Sequence, residues 1–96
     1  MSESIIKNKS FALAVRGVSF YKYLVSEKKE FIMSKQFLRS ITSVGANVRE
    51  AINAQSKADF IRKLSILQKE YDEAMYWLEL LKETEYISEI QFNSIH

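Results

Sequence analysis

The feature that most limits what this chain can become is an apolar run in its second half. Phe60, Leu64, Leu67, Tyr71, Ala74, Leu78 and Leu81 recur at alternating spacings of four and three, filling every seam position over three heptads. Successive side chains of a strand point to opposite faces, so strand alternation fails over the whole stretch. A long helix fits it, and that helix must bury its seam against others. Each large seam residue contributes about 1.5–3 kcal/mol when fully buried. No proline occurs in the 96 residues, and glycine stands only at positions 17 and 45. An all-β chain of this length needs many tight turns and the residues that make them, so long helices are favoured throughout.

The remaining segments divide into three further helices. A first helix over about 6–27 carries Phe11, Ala14/Val15, Val18, Tyr21 and Val25 at three-to-four spacing, which predicts its buried face. Glu27-Lys28-Lys29-Glu30 then turns the chain without glycine or proline. The second helix, about 34–54, is predicted to begin at Ser34, whose hydroxyl can accept a bond from a first-turn amide. Its seam is Phe37, Ile41, Val44, Val48 and Ala51. The third, about 57–84, opens on Ser56-Lys57-Ala58-Asp59, a capping box with Asp in the Glu/Gln place. The fourth, 89–96, opens on Ser88-Glu89-Ile90-Gln91 and continues through Phe92 and Ile95. It has barely two turns, too few to be stable alone, so either the chain is truncated or this segment folds only by docking.

Residues 1–96 are therefore expected to form one all-α domain, an antiparallel up-down four-helix bundle whose fourth helix is incomplete. Short connections make consecutive helices antiparallel neighbours. Folding the first helix back on the second brings Gly17 level with Val44 and Gly45. A glycine inside a helix costs roughly 0.5–1 kcal/mol against alanine, so two facing one another predict a close crossing.

Composition excludes most chemistry. There is no cysteine, hence no disulfide, thiolate ligand or cysteine nucleophile, and the one histidine is His96. Glu70, Asp72, Glu73, Glu79 and Glu83 could be imagined as a carboxylate metal site, but a di-metal bundle needs Glu-x-x-His pairs facing inward. No Gly-rich phosphate loop and no Ser/His/Asp set is available. The expectation is a protein without catalysis, metal, cofactor or small-molecule substrate. No apolar run approaches the roughly 18 residues of a membrane span, and the N-terminus lacks a signal peptide's apolar core, so a cytoplasmic location is expected.

Charge is asymmetric. Residues 1–49 hold nine Lys/Arg against three acids, whereas residues 50–96 hold five against nine. Lys22, Lys28, Lys29, Lys35 and Arg39 gather at one end of the bundle, where they could capture phosphate or neutralise Glu79, Glu83 and Glu85 of the third helix. Lys35, Arg39, Thr42, Ala46, Arg49 and Asn53, flanked by Ser40, Ser43, Asn47 and Ala54, form a polar stripe on the second helix. It is either a solvated face, or a surface that another subunit approaches closely or that lines a polar lumen in a ring. Met75-Tyr76-Trp77-Leu78 wraps most of the third helix, more than one seam can cover, and fits second-layer core or an oligomer contact.

Three runs carry a family resemblance. Ser34-Lys35-Gln36-Phe37-Leu38-Arg39-Ser40 with Ser43-Val44-Gly45-Ala46-Asn47-Val48-Arg49-Glu50-Ala51, then Ala54-Gln55-Ser56-Lys57-Ala58-Asp59-Phe60-Ile61, then Tyr76-Trp77-Leu78-Glu79-Leu80-Leu81, together resemble the signature of the four-helix-bundle proteins named for 23S rRNA intervening sequences. The resemblance implies an up-down bundle assembling as a ring, typically a homopentamer. A related branch, the accessory variability determinant of diversity-generating retroelements, binds a reverse transcriptase and nucleic acid through a strongly basic surface. Two functions are therefore expected. One is a self-assembling homo-oligomeric scaffold or accessory protein, with Ser43, Asn47, Met75, Tyr76 and Trp77 as candidate contacts. The other is an RNA- or DNA-binding accessory protein, alone or with a nucleic-acid enzyme, using Lys35, Arg39, Arg49, Arg62 and Lys63.

Overall fold

The computed structural model describes the backbone of residues 2–95 and the side chains of residues 5–95. Within them lie four helices and no strand: α1 (Ser2–Ser26), α2 (Met33–Ile52), α3 (Lys57–Glu83) and α4 (Glu89–Ile95). His96, where the sequence reading ends the fourth helix, lies outside the described residues. The molecule is an elongated helical bundle of 43 × 22 × 19 Å. Its long axis matches the ~40 Å that 27 helical residues span at 1.5 Å each.

The second helix is central, packing on both α1 and α3, while α4 lies across α3 and α1. Neighbours run antiparallel. Ser40 of α2 meets Glu73 of α3, and Glu50, ten residues further along, meets Lys63. We call the α2–α3 turn the lower end and the opposite end, with the α1–α2 and α3–α4 turns, the upper end.

Caps explain where the helices start. Ser56 Oγ accepts from the Asp59 N–H at 3.0 Å, as its position predicts, while the Asp59 carboxylate pairs with Arg62 at 2.8 Å. At α4 the box is reciprocal: Gln91 N–H donates to Ser88 Oγ at 3.1 Å and Ser88 N–H to Gln91 Oε1 at 2.8 Å. The start of α2 corrects the sequence reading. Its cap is Glu30, whose carboxylate accepts the N–H groups of Ile32, Met33 and Ser34 at 3.1, 2.9 and 2.6 Å. Ser34 instead donates its hydroxyl to the Glu30 carbonyl at 2.8 Å. Burial pushes the Glu30 carboxyl up, but its bonds to Met33, Ser34 and Ile32 outweigh this and hold it below its ordinary value. Both upper turns are made without glycine: Lys29 and Glu85 take the left-handed conformation at φ 56° and 69°. Glu30 N–H then bonds back to Leu24, and Tyr86 N–H to Leu81.

The core is one cluster of Leu24, Phe37, Ile41, Ala74, Leu78, Leu81, Ile87, Phe92 and Ile95, concentrated in the upper half. Phe20 joins it edge-on to Phe37, with ring centroids 6.3 Å apart. The predicted α2 seam is buried at all five positions. The α3 seam is buried at Ala74, Leu78 and Leu81 and half-buried at Leu67 and Tyr71. Its first two members are partly in water, with Phe60 42% and Leu64 40% exposed.

The first helix turns a different face inward from the one predicted. Buried or half-buried at its inner line are Ser10, Leu13, Gly17, Phe20 and Leu24, whereas Phe11, Val15 and Val18 are exposed; Ala14, Tyr21 and Val25 are half-buried. Backbone approach decides this. A Cβ on Gly17 would stand 2.5 Å from Ile41 Cγ2, and one on Gly45 3.4 Å from the Ser10 carbonyl oxygen. The close crossing is present, but each glycine faces the partner helix rather than the other glycine, and Gly17 sits level with Ile41, one turn from the predicted register.

Candidate interaction surfaces

Two exposed apolar surfaces and one polar strip follow from this packing. The first surface runs along the α1–α2 flank. Phe11, Val15 and Val18 project from α1, and with Ala14, Thr42, Gly45, Ala46 and Arg49 they line a groove of about 600 Å³. The Arg49 guanidinium sits over the Phe11 ring, 5.3 Å from its centroid. Phe11 is 54% and Val15 49% exposed, although the sequence reading placed both in the core. The missed signal is Gly17. It lies on the line 10-13-17-20-24, so a close crossing through Gly17 requires that line to face α2 and leaves the second apolar line outside.

The second surface is at the lower end, where α4 no longer covers its neighbours. Ile6, Val48, Ala51, Ile52, Ala54, Phe60, Leu64 and Leu67 line an apolar groove of about 540 Å³.

The polar strip lies between α2 and α3. Ser40, fully buried, donates to Glu73 at 3.1 Å, and Arg39 reaches both Glu73 and, at 3.5 Å, Glu70. Ser43 and Asn47 continue that flank at helical spacing and are half-buried, the Asn47 amide donating to the Ser43 carbonyl at 2.8 Å. On α3, Met75 and Trp77 pack against the core, while Tyr76 is 58% exposed and edge-on to Trp77, centroids 5.2 Å apart. The Trp77 Nε1–H is enclosed without an acceptor among the described residues.

The five candidate basic residues do not form one patch. Arg39 is engaged by Glu70 and Glu73, Arg62 by Asp59, and Lys63 by Glu50. Arg49 and Lys63 share a shallow depression at the lower end with Glu50 and Asp59. Lys35 is exposed near the other end of α2 and has no ion pair among the described residues. The predicted neutralisation of the upper cations by Glu79, Glu83 and Glu85 is also corrected. Glu83 pairs with Lys82 on its own helix, Arg39 takes acids further down α3, and Lys22, Lys28, Lys29 and Lys35 make no ion pair among the described residues. Among the described residues no group of three His, Cys, Asp or Glu is placed to hold a metal ion, and no helix is long and apolar enough to cross a membrane.

This arrangement defines an all-helical bundle protein with apolar outer grooves. The sequence model described as "23S rRNA-intervening sequence protein" matches residues 2–96, and the chain belongs to that family. A crystal structure from Bacteroides thetaiotaomicron VPI-5482, described as a protein with unknown function from the S23 ribosomal protein family, is 60% identical. It superposes with a TM-score of 0.96, the match covering 99% of this chain and 85% of that one. No curated protein matches the sequence.

Proposed function

We propose that this chain is a non-catalytic, self-assembling protein: an antiparallel up-down four-helix bundle that forms a homo-oligomer and serves as a scaffold or accessory factor in the cytoplasm. The observation that carries the reading is the outward apolar line Phe11, Val15 and Val18 on α1, facing a groove floored by Gly45 and Ala46. A monomer would leave this surface in water, whereas a second subunit laid into the groove would bury it at roughly 25 cal/mol per Å² of apolar area. The family resemblance supports a closed ring of five. Native mass spectrometry at micromolar concentration tests it. A discrete oligomer that Val15→Glu converts to a folded monomer is expected, and a wild-type chain that remains strictly monomeric overturns the proposal.

A second reading, an RNA- or DNA-binding accessory role, draws support from Lys22, Lys28, Lys29 and Lys35, which stand exposed near the upper turn with no acidic partner among the described residues. Its expected signature is binding to structured RNA or duplex DNA that weakens steeply with salt and falls when Lys29 and Lys35 are replaced by Glu. Absence of binding at low salt removes it.

A further inference from the structure

The outward apolar line of α1 is bracketed by cations. Lys7 stands four residues before Phe11 and Lys22 four after Val18. At 100° per residue both fall on the line of Phe11 and Val18, and both are exposed. Arg49, in the lining of the same groove, is exposed and lies over the Phe11 ring. Lys7, Lys22 and Arg49 have no ion pair among the described residues. Residues 5–26 contain no acid, and the single acid of α2, Glu50, pairs with Lys63 of α3. This flank is also distinct from the side on which α4 packs. Arg16, Ser19 and Tyr23 share a depression with Gln91 and Ser94 of α4, whereas Phe11, Ala14 and Val18 share theirs with Gly45 and Ala46 of α2.

A complementary surface lies on α3. Asp72, Tyr76, Glu79 and Glu83 follow one another at spacings of four, three and four, and all are exposed, on the side turned away from the buried Ala74, Leu78 and Leu81. Glu79 has no ion pair among the described residues, Asp72 accepts from Gln68 at 3.0 Å, and Glu83 meets Lys82 at 3.7 Å. Toward the lower end the same line carries Lys69, so the acidic row is confined to residues 72–83, about 16 Å of helix. Lys7 and Lys22 stand about 22 Å apart along α1, so the row fits between them. Charge selects between the two ways in which a second copy could use the groove. Groove against groove would set Lys22 and Arg49 against like charges. Groove against the α3 row pairs cations with acids and lays Tyr76 on the apolar floor.

We propose that the α1–α2 groove of one copy receives the outer row of α3 of a second copy. Tyr76 enters over Gly45 and Ala46, and Glu79 and Glu83 meet the cations around the groove. Two different surfaces are joined, so the contact repeats head to tail and closes a ring where the rotation allows. This contact rests on the self-assembly proposed above and supplies its second face.

Two variants test it in native mass spectrometry. Val15→Glu blocks the groove and leaves the α3 row intact. Glu79→Lys/Glu83→Lys reverses the row and leaves the groove intact; lysines near a helix C-terminus suit its dipole, and circular dichroism checks the fold. Each alone is expected to raise the protein concentration at which the oligomer forms by about tenfold or more. Mixed, they are expected to form a 1:1 complex and stop there, since one supplies a free row and the other a free groove. A wild-type oligomer that the α3 reversal leaves unchanged, or folded variants that fail to combine on mixing, overturns the α3 assignment while self-assembly stands. Glu79→Lys/Glu83→Lys chains that still pair with themselves as dimers make the contact groove to groove and overturn it as well. A strictly monomeric wild type overturns both.

Discussion

The upper and lower halves of the bundle are built from the same three long helices and the same repeating seam, yet they differ in what covers them. In the upper half, Leu24, Phe37, Leu78 and Leu81 are enclosed by Ile87, Phe92 and Ile95. In the lower half the corresponding seam residues, Phe60 and Leu64, look into an open groove. The lesson is that a seam specifies an apolar face, while burial requires a partner packed on it.

The sharpest way to break this comparison is truncation at each end. Phe37→Ala removes a fully enclosed ring and is expected to cost about 3–5 kcal/mol in urea denaturation, whereas Phe60→Ala should cost about 1 kcal/mol or less. Equal losses would mean that the lower groove is filled in solution. The Glu30 cap, an upper-end device, comes next. Glu30→Gln is expected to cost about 1–3 kcal/mol at neutral pH, since charge-assisted bonds to three amides are weakened. The folded carboxyl titrates below its unfolded value, so the cap's charge contribution is fully present above the unfolded pKa and is lost as pH falls through the folded one. The gap between wild type and Glu30→Gln should therefore close on acidification below about pH 4, as denaturation at several pH values would measure.

The glycines sharpen the contrast along the α1–α2 crossing. Gly17→Ala places a methyl against the stiff, buried Ile41 and should destabilise by about 1–2 kcal/mol despite its gain in helix propensity. At Gly45 the added methyl meets the Ser10 backbone at ordinary contact distance, so Gly45→Ala should be neutral or stabilising by up to about 1 kcal/mol. The smallest pair compares the two serine caps. Ser56→Ala and Ser88→Ala should each cost about 1 kcal/mol of local helix stability. Only Ser88→Ala should raise hydrogen exchange throughout α4, because that helix has too few turns to survive fraying.

Much of the architecture was legible in the residues. The Ser56 and Ser88 boxes, the five-residue α2 seam and the α3 repeat each depend on near neighbours along one helix, and local periodicity reads such features directly. The α1–α2 turn was legible as a charged break, although the left-handed Lys29 that completes it carries no sequence mark. The outer surfaces were less readable. Arg39, Arg62 and Lys63 were candidates for a basic binding surface, but Glu70, Glu73, Asp59 and Glu50 engage them from α3 and α2. Glu70 and Glu73 were read as an imagined metal site and Asp59 as a cap, because the sequence carries no register that joins them to a cation.

The sequence by itself determined four helices, the caps that start α3 and α4, the apolar seams of α2 and α3, and family membership through its motif runs. Tertiary structure alone decided which of two apolar lines on α1 turns inward. Periodicity cannot choose between the lines at 11-15-18 and 13-17-20-24, because both satisfy a helical repeat; the close backbone approach at Gly17 and Ile41 chooses. It also decided that Glu30 rather than Ser34 caps α2, since a carboxylate four residues upstream reaches the amides only after the turn has folded. Finally it decided which part of the α3 seam is enclosed, because α4 packs over Leu78 and Leu81 while Phe60 and Leu64 line a groove with Val48 and Ala51.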